Sequence, residues 1–119
     1  MRESDLIAVC LKWLRYHRIF AWRQNNISVF DRRSRSFRSF QGLRGVSDIL
    51  GVLPDGRFLA IECKLDKRPL SYDQKRFLDQ VKSNGGLALV ARSLGDLKSN
   101  LCNYVFVQEE DHNDNSNKE

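Results

Sequence analysis

Asp48, Glu62 and Lys64 bring two carboxylates and one ammonium within reach of a single β-hairpin. Carboxylate oxygens hold hard divalent cations, and a neighbouring ammonium can place a water molecule and stabilise developing negative charge. Whether the three groups meet depends on strand register, which the turn decides. Residues 45–65 read as two strands, because aliphatic and β-branched residues flank Pro54, Asp55 and Gly56. Pro54 suits position i+1 of a type I turn and Gly56 the left-handed residue after it, which describes a three-residue loop with a glycine bulge. Leu53 then pairs with Arg57, and Asp48 lies opposite Glu62. A two-residue type I′ loop at Asp55 and Gly56 would send Asp48 and Glu62 to opposite faces; Pro54 favours the longer loop.

Alternation in the second strand sends Leu59, Ile61, Cys63 and Leu65 to one face and Phe58, Ala60, Glu62 and Lys64 to the other. The odd face is expected to be core and the even face to carry chemistry. Two carboxylates about 5 Å apart repel by about 3 kcal/mol at an effective dielectric near 20, and a bound divalent cation turns that repulsion into attraction. The bland alternative is a solvated hairpin with a cross-face ion pair. It has weight, because each charged type makes up about one residue in sixteen and roughly half of chains this long hold a Glu-x-Lys by chance.

The elements that must position these groups follow from pattern. Leu6, Val9, Cys10, Trp13 and Leu14 recur at helical spacing, with Ser4 or Asp5 as N-cap, so residues 4 to about 18 are expected to form an amphipathic helix. Residues 20–23 read as a first strand, and residues 27–30 as its extension or a short hairpin. Ser71 caps a second helix whose apolar side is Phe77, Leu78 and Val81, with Gly85 and Gly86 ending it. Residues 87–91 are an unbroken apolar run, as in a strand buried on both faces. Residues 93–101 read as a short helix and 104–107 as an edge strand. The order predicts an α/β fold, a mixed central sheet flanked by helices.

The chain has 119 residues, enough for one domain with a real core. Cys10, Cys63 and Cys102 lack paired spacing, which argues against a disulfide framework or a zinc site and for buried thiols. No stretch is long and apolar enough for a membrane span, and the N-terminal residues lack the layout of a secretion signal, so a soluble cytoplasmic protein is expected. Net charge is +5, but residues 109–119 carry −4 and residues 1–108 carry 19 basic and 10 acidic side chains, or +9. The body, 1–108, is expected to be the single domain and to suit a polyanion; the acidic tail, 109–119, has a disordered composition. His17 is expected on the helix surface and His112 in the tail, neither with a catalytic setting.

An αβββαβ core with Asp on the second strand and Glu-x-Lys on the third resembles the PD-(D/E)XK nuclease superfamily. More narrowly, the chain resembles a standalone VRR-NUC nuclease of phage or prophage type, which implies the cytoplasm of a bacterial host. The matching stretches are Glu3, residues 22–26 (WRQNN), 45–48 (GVSD), 61–64 (IECK), 70–74 (LSYDQ) and 89–93 (LVARS). Ser47 departs from the family pattern, which places Pro before the Asp; that changes backbone stiffness rather than ligands.

The resemblance implies that Asp48, Glu62 and the backbone carbonyl of Cys63 bind Mg²⁺, with Mn²⁺ able to substitute, and that Glu3 joins through water. Lys64 would act on the attacking water, and Gln74 would sit beside the carboxylates. Gln74 also fits a capping box with Ser71, and Glu3 also fits an acid stabilising its own helix dipole. Arg32, Arg33, Arg35, Arg38 and Arg44, interleaved with Phe37 and Phe40, form a basic loop suited to phosphates and bases. Arg23, Lys67 and Arg68 are further phosphate candidates, and a merely solvated basic loop is the alternative. The resemblance implies a homodimeric Mg²⁺-dependent endonuclease cutting four-way DNA junctions (a Holliday junction resolvase), with no membrane and no organic cofactor. A nuclease of flaps, forks or duplex ends, and a non-catalytic DNA-binding protein, are the competing readings.

Overall fold

Turn chemistry sets the frame of the molecule. In the computed structural model, which describes residues 1–24, 30–31, 36–37 and 42–105, Leu53 N–H donates to the Arg57 carbonyl and Gly56 N–H to the Leu53 carbonyl, both at 2.8 Å. Gly56 has φ +91°, a value glycine reaches without strain. This is the three-residue loop, and it joins β4 (Ile49–Val52) to β5 (Phe58–Cys63) with Ile49 opposite Ile61 and Leu50 opposite Ala60.

The sheet grows outward from that hairpin. β1 (Phe20–Arg23) pairs antiparallel with β4, and β6 (Leu87–Ala91) pairs parallel with β5, giving the order β1-β4-β5-β6. β2 (Phe30–Asp31) and β3 (Ser36–Phe37) form a separate antiparallel pair. The fold is the expected mixed α/β sheet with helices on it. The expected strand at 27–30 falls mostly outside the described residues, as does the acidic tail.

Both faces of the sheet are covered. α1 (Glu3–Tyr16) and α3 (Leu94–Asn100) pack on the odd face of β5, over Leu59, Ile61 and Cys63. α2 (Tyr72–Ser83) packs Phe77, Leu78 and Val81 against Ala60 and Ala88 on the even face. The even face is therefore not given over to chemistry alone: a small second core occupies its middle, and the polar groups lie at one end.

Several local expectations are corrected. α1 is apolar around most of its circumference, and the stripe that faces the core is Leu6, Ile7, Cys10, Leu11 and Leu14, leaving Val9 exposed and Trp13 half-buried. Its cap is Arg2, whose N–H donates to the Asp5 carboxylate at 2.9 Å, rather than Ser4 or Asp5. His17 is 5 % exposed, stacked among Trp13 and Tyr16 at the helix end. Cys102 is exposed, whereas Cys10 and Cys63 are buried as expected. Residues 102–104 form a 3₁₀ turn where the edge strand was expected to begin. No helix among the described residues is long and apolar enough to cross a membrane.

Candidate active site

The hairpin register puts Asp48 one position beyond the Ile49–Ile61 pair, hence opposite Glu62 on the even face. Asp48 Oδ2 accepts the Cys63 N–H at 2.8 Å, so a side chain continues the ladder where β4 begins. The N–H and C=O of one strand residue point the same way, and the Cys63 carbonyl is thereby directed to the Asp48 side. Lys64 shares the even face by alternation, its own N–H donating to the Ala91 carbonyl at 3.1 Å.

Glu62 is 3 % exposed. Its Oε2 accepts from Gln74 Nε2 at 2.9 Å, while Oε1 is buried with no hydrogen-bond partner among the described residues. Burial raises its pKa most, the neighbouring Asp48 carboxylate raises it further, and the Lys64 ammonium opposes them; the result is about 8. An oxygen buried in this way must take a proton or a cation. That orphaned Oε1, paired with Asp48 and the Cys63 carbonyl, fits a divalent metal whose remaining ligands are water and phosphate. Among the described residues no group of three His, Cys, Asp or Glu side chains converges, so the carbonyl is needed to complete a protein-derived set.

Gln74 fulfils both roles that the sequence left open. Its Oε1 accepts the Ser71 N–H at 2.9 Å, its N–H donates to Ser71 Oγ at 3.1 Å, and its Nε2 holds Glu62. The capping box and the site contact use different atoms of one amide, so the helix cap fixes the orientation of the buried acid.

Gly45 brings that helix to the sheet. At φ +75° it lies so close to α2 that a Cβ would stand 2.2 Å from the Asp73 carbonyl oxygen and 2.7 Å from the Gln74 nitrogen. Residues 44–48 and the N-terminus of α2 thus enclose a hollow of about 340 Å³, lined by Arg44, Asp48, Glu62, Ser71, Asp73 and Gln74 among others. The positive end of the α2 dipole and the adjacent Arg44 guanidinium suit an anionic phosphate beside the acids. Asp73 and Ser71 belong to this wall although sequence reasoning gave them no place in it; their membership follows from the close approach of Gly45, which no pattern displays.

The other expected residues scatter. Glu3 is tied by Arg68 Nη1 at 2.9 Å and lies 3.5 Å from the Leu65 N–H, placing it beside the turn after Lys64 rather than on the hollow's wall. Arg68 is thereby engaged, and Lys67 is exposed on the same turn. Arg92 Nη1 donates to the carbonyls of Asp66 and Arg68 at 2.9 and 2.8 Å, holding that turn; its role was missed because backbone acceptors leave no sequence mark. Arg23 pairs with Ile49 and so emerges on the face opposite the acids. Arg32, Arg33, Arg35 and Arg38 lie outside the described residues.

Ser47 is fully buried and its hydroxyl has no partner among the described residues.

Comparison with known proteins bears on the family and the fold. The family model described as the VRR-NUC domain matches residues 1–94. A solved structure titled "VRR_NUC domain protein" is similar with a TM-score of 0.63 at 17 % identity, over 87 % of this chain and 88 % of that one, a likeness in fold. No curated protein matches the chain.

Proposed function

Since the chain belongs to the VRR-NUC family of nucleases, we propose that it is a Mg²⁺-dependent endonuclease hydrolysing phosphodiester bonds in branched DNA, with the four-way junction as its substrate. The observation that carries the reading is the buried Glu62 carboxylate opposite Asp48 across the hairpin, with its Oε1 unpartnered among the described residues. Asp48, Glu62 and the Cys63 carbonyl would hold the cation, with Mn²⁺ as a substitute. When bound, it would supply Lewis acidity toward phosphate and activation of water.

The chain's own residues do the rest. Gln74 keeps Glu62 in one rotamer through its Nε2–H, so the acid is oriented before substrate arrives. Arg44 and the first turn of α2 bind the phosphate and fix its approach to the acids. Lys64 positions the attacking water and stabilises negative charge gathering on the phosphoryl oxygens. Glu3 acts one layer out, through the turn that follows Lys64. A homodimer presenting two such sites suits the opposed strands of a junction.

The test is one assay on four DNAs, a four-way junction, a flap, a fork and a linear duplex, with Mg²⁺, Mn²⁺ or EDTA. The reading expects metal-dependent cutting, fastest on the junction, and none in EDTA; preferential cutting of flaps or ends would reassign the substrate, and cutting in EDTA would remove the metal. Gel filtration of the free protein should show a dimer.

A further inference from the structure

Beside the acids lies a second hollow that the proposed reaction leaves unused. It measures about 510 Å³, and its walls include Leu50, Phe58 and Phe77, with Gln24 and Gln80 contributing amides and Asn84 Nδ2 donating to the Gln80 carbonyl at 2.8 Å. Leu43 and Val46 line both this hollow and the one holding Asp48 and Glu62, so the two adjoin across these side chains. A third depression of about 370 Å³ adjoins both and carries Arg44 and Arg76. The arrangement arises because α2 covers β5 and β6 but stops short of β4 and β1. The sheet face beyond it remains bare, with Phe20 68 %, Val52 37 % and Phe58 39 % exposed in one row across three strands.

We propose that this hollow receives one nucleobase released from its pair at the branch point of the substrate, whose backbone passes on into the acidic site. The inference rests on the nuclease reading and deepens it, by naming the feature of branched DNA that the chain selects. Phenyl walls accept the flat face of any base, and carboxamides match the donor and acceptor pattern of base edges. Arginines on the adjoining depression match the phosphates that flank such a base, and the Leu43 and Val46 wall leads toward the acids that would cut beside it. A wholly apolar occupant would match the phenyl walls but not these amides and guanidiniums.

The experiment measures binding of the full chain carrying Asp48→Asn to two duplexes that differ at one unpaired nucleotide, present with its base or as an abasic sugar. The base should tighten binding roughly tenfold, within the range of stacking on aromatic side chains. Phe58→Ala and Gln80→Ala, each added to that chain, should shrink the difference to about twofold or less, with thermal melts showing that both remain folded. Equal affinity for the two DNAs overturns the inference. So does an undiminished preference in both groove variants, or conversion of the free protein from dimer to monomer by either, which would assign the hollow to a second copy of the chain. Cutting by the unsubstituted protein without a base preference sinks this inference alone; a base preference with no cutting in Mg²⁺ or Mn²⁺ sinks the nuclease reading instead.

Discussion

Glu62 is the residue on which the proposed chemistry turns, because its burial is unfavourable for a bare carboxylate and becomes favourable only with a proton or a cation. Its pKa of about 8 stands above the ordinary carboxylate value of 4.5, chiefly through burial and then through Asp48. A raised carboxyl pKa contributes stability that is fully present below the unfolded value and is lost as pH rises through the folded one. The metal-free protein in EDTA should therefore melt at progressively lower temperature from about pH 4.5 to about pH 8, and Glu62→Gln should flatten that dependence and melt higher at the alkaline end. A pH profile unchanged by the substitution would mean that Glu62 titrates normally. Ser47 gives a separate residue-scale test. Ser47→Ala removes a buried hydroxyl with no partner among the described residues and should stabilise the fold by about 1 kcal/mol in denaturant titration; a loss of stability would reveal a bond that the hydroxyl makes. The opposition of Asp48 and Glu62 was legible in the sequence because Pro54 and Gly56 specify a loop length, and loop length specifies which side chains meet. The pairing of Glu3 with Arg68 was not, since residues 65 positions apart meet only after the turn beyond β5 has folded.

Elements place these residues with little tolerance. The contact between Gly45 and the first turn of α2 is made by backbone atoms on the helix side, so an added methyl cannot be absorbed by a rotamer change. Gly45→Ala should cost 2 kcal/mol or more, at about the upper end of what strain at positive φ and overpacking impose, and should lower cutting more than DNA binding as Gln74 is pushed from Glu62. Unchanged cutting would show that the helix can retreat without disturbing the acid. Gln74→Ala should cost about 1 kcal/mol for the lost cap and also reduce the cleavage rate, whereas Ser71→Ala should carry the stability loss with the smaller effect on rate; equal rates for both variants would reduce Gln74 to a cap. The second helix and its cap were readable because Ser, Gln and a spaced apolar face agree. The first helix was readable as a helix but not in its rotation: Leu6, Ile7, Val9, Cys10, Leu11, Trp13 and Leu14 cover most of its circumference, and the sheet it meets chooses among them. Of the strand expected at 104–107, Tyr104 closes a 3₁₀ turn instead and residues 106–107 lie outside the described residues; an apolar pattern of four residues carries no information on whether a sheet edge stands near enough to receive it.

At the scale of the whole molecule, charge and topology serve the same end. Residues 1–108 carry +9, and the sheet order β1-β4-β5-β6 sets the acids at one end of a face whose remainder is apolar. DNA binding should weaken linearly in a plot of log affinity against log salt, and Arg44→Ala should make that slope shallower by about one unit; an unaltered slope would take Arg44 off the phosphate. The fold was legible from element order because alternating strands and helices with strong turn signals admit few arrangements. The hollows were not, because each is assembled from segments whose spacing is decided only by packing. The central claim is that Asp48 and Glu62 together hold the cation that makes hydrolysis possible. The most direct measurement compares cutting of an immobile four-way junction by the unsubstituted chain and by Asp48→Asn in Mg²⁺. The account predicts that the variant binds the junction as well as or better than the original chain and leaves it uncut; cutting at an undiminished rate by Asp48→Asn would contradict it.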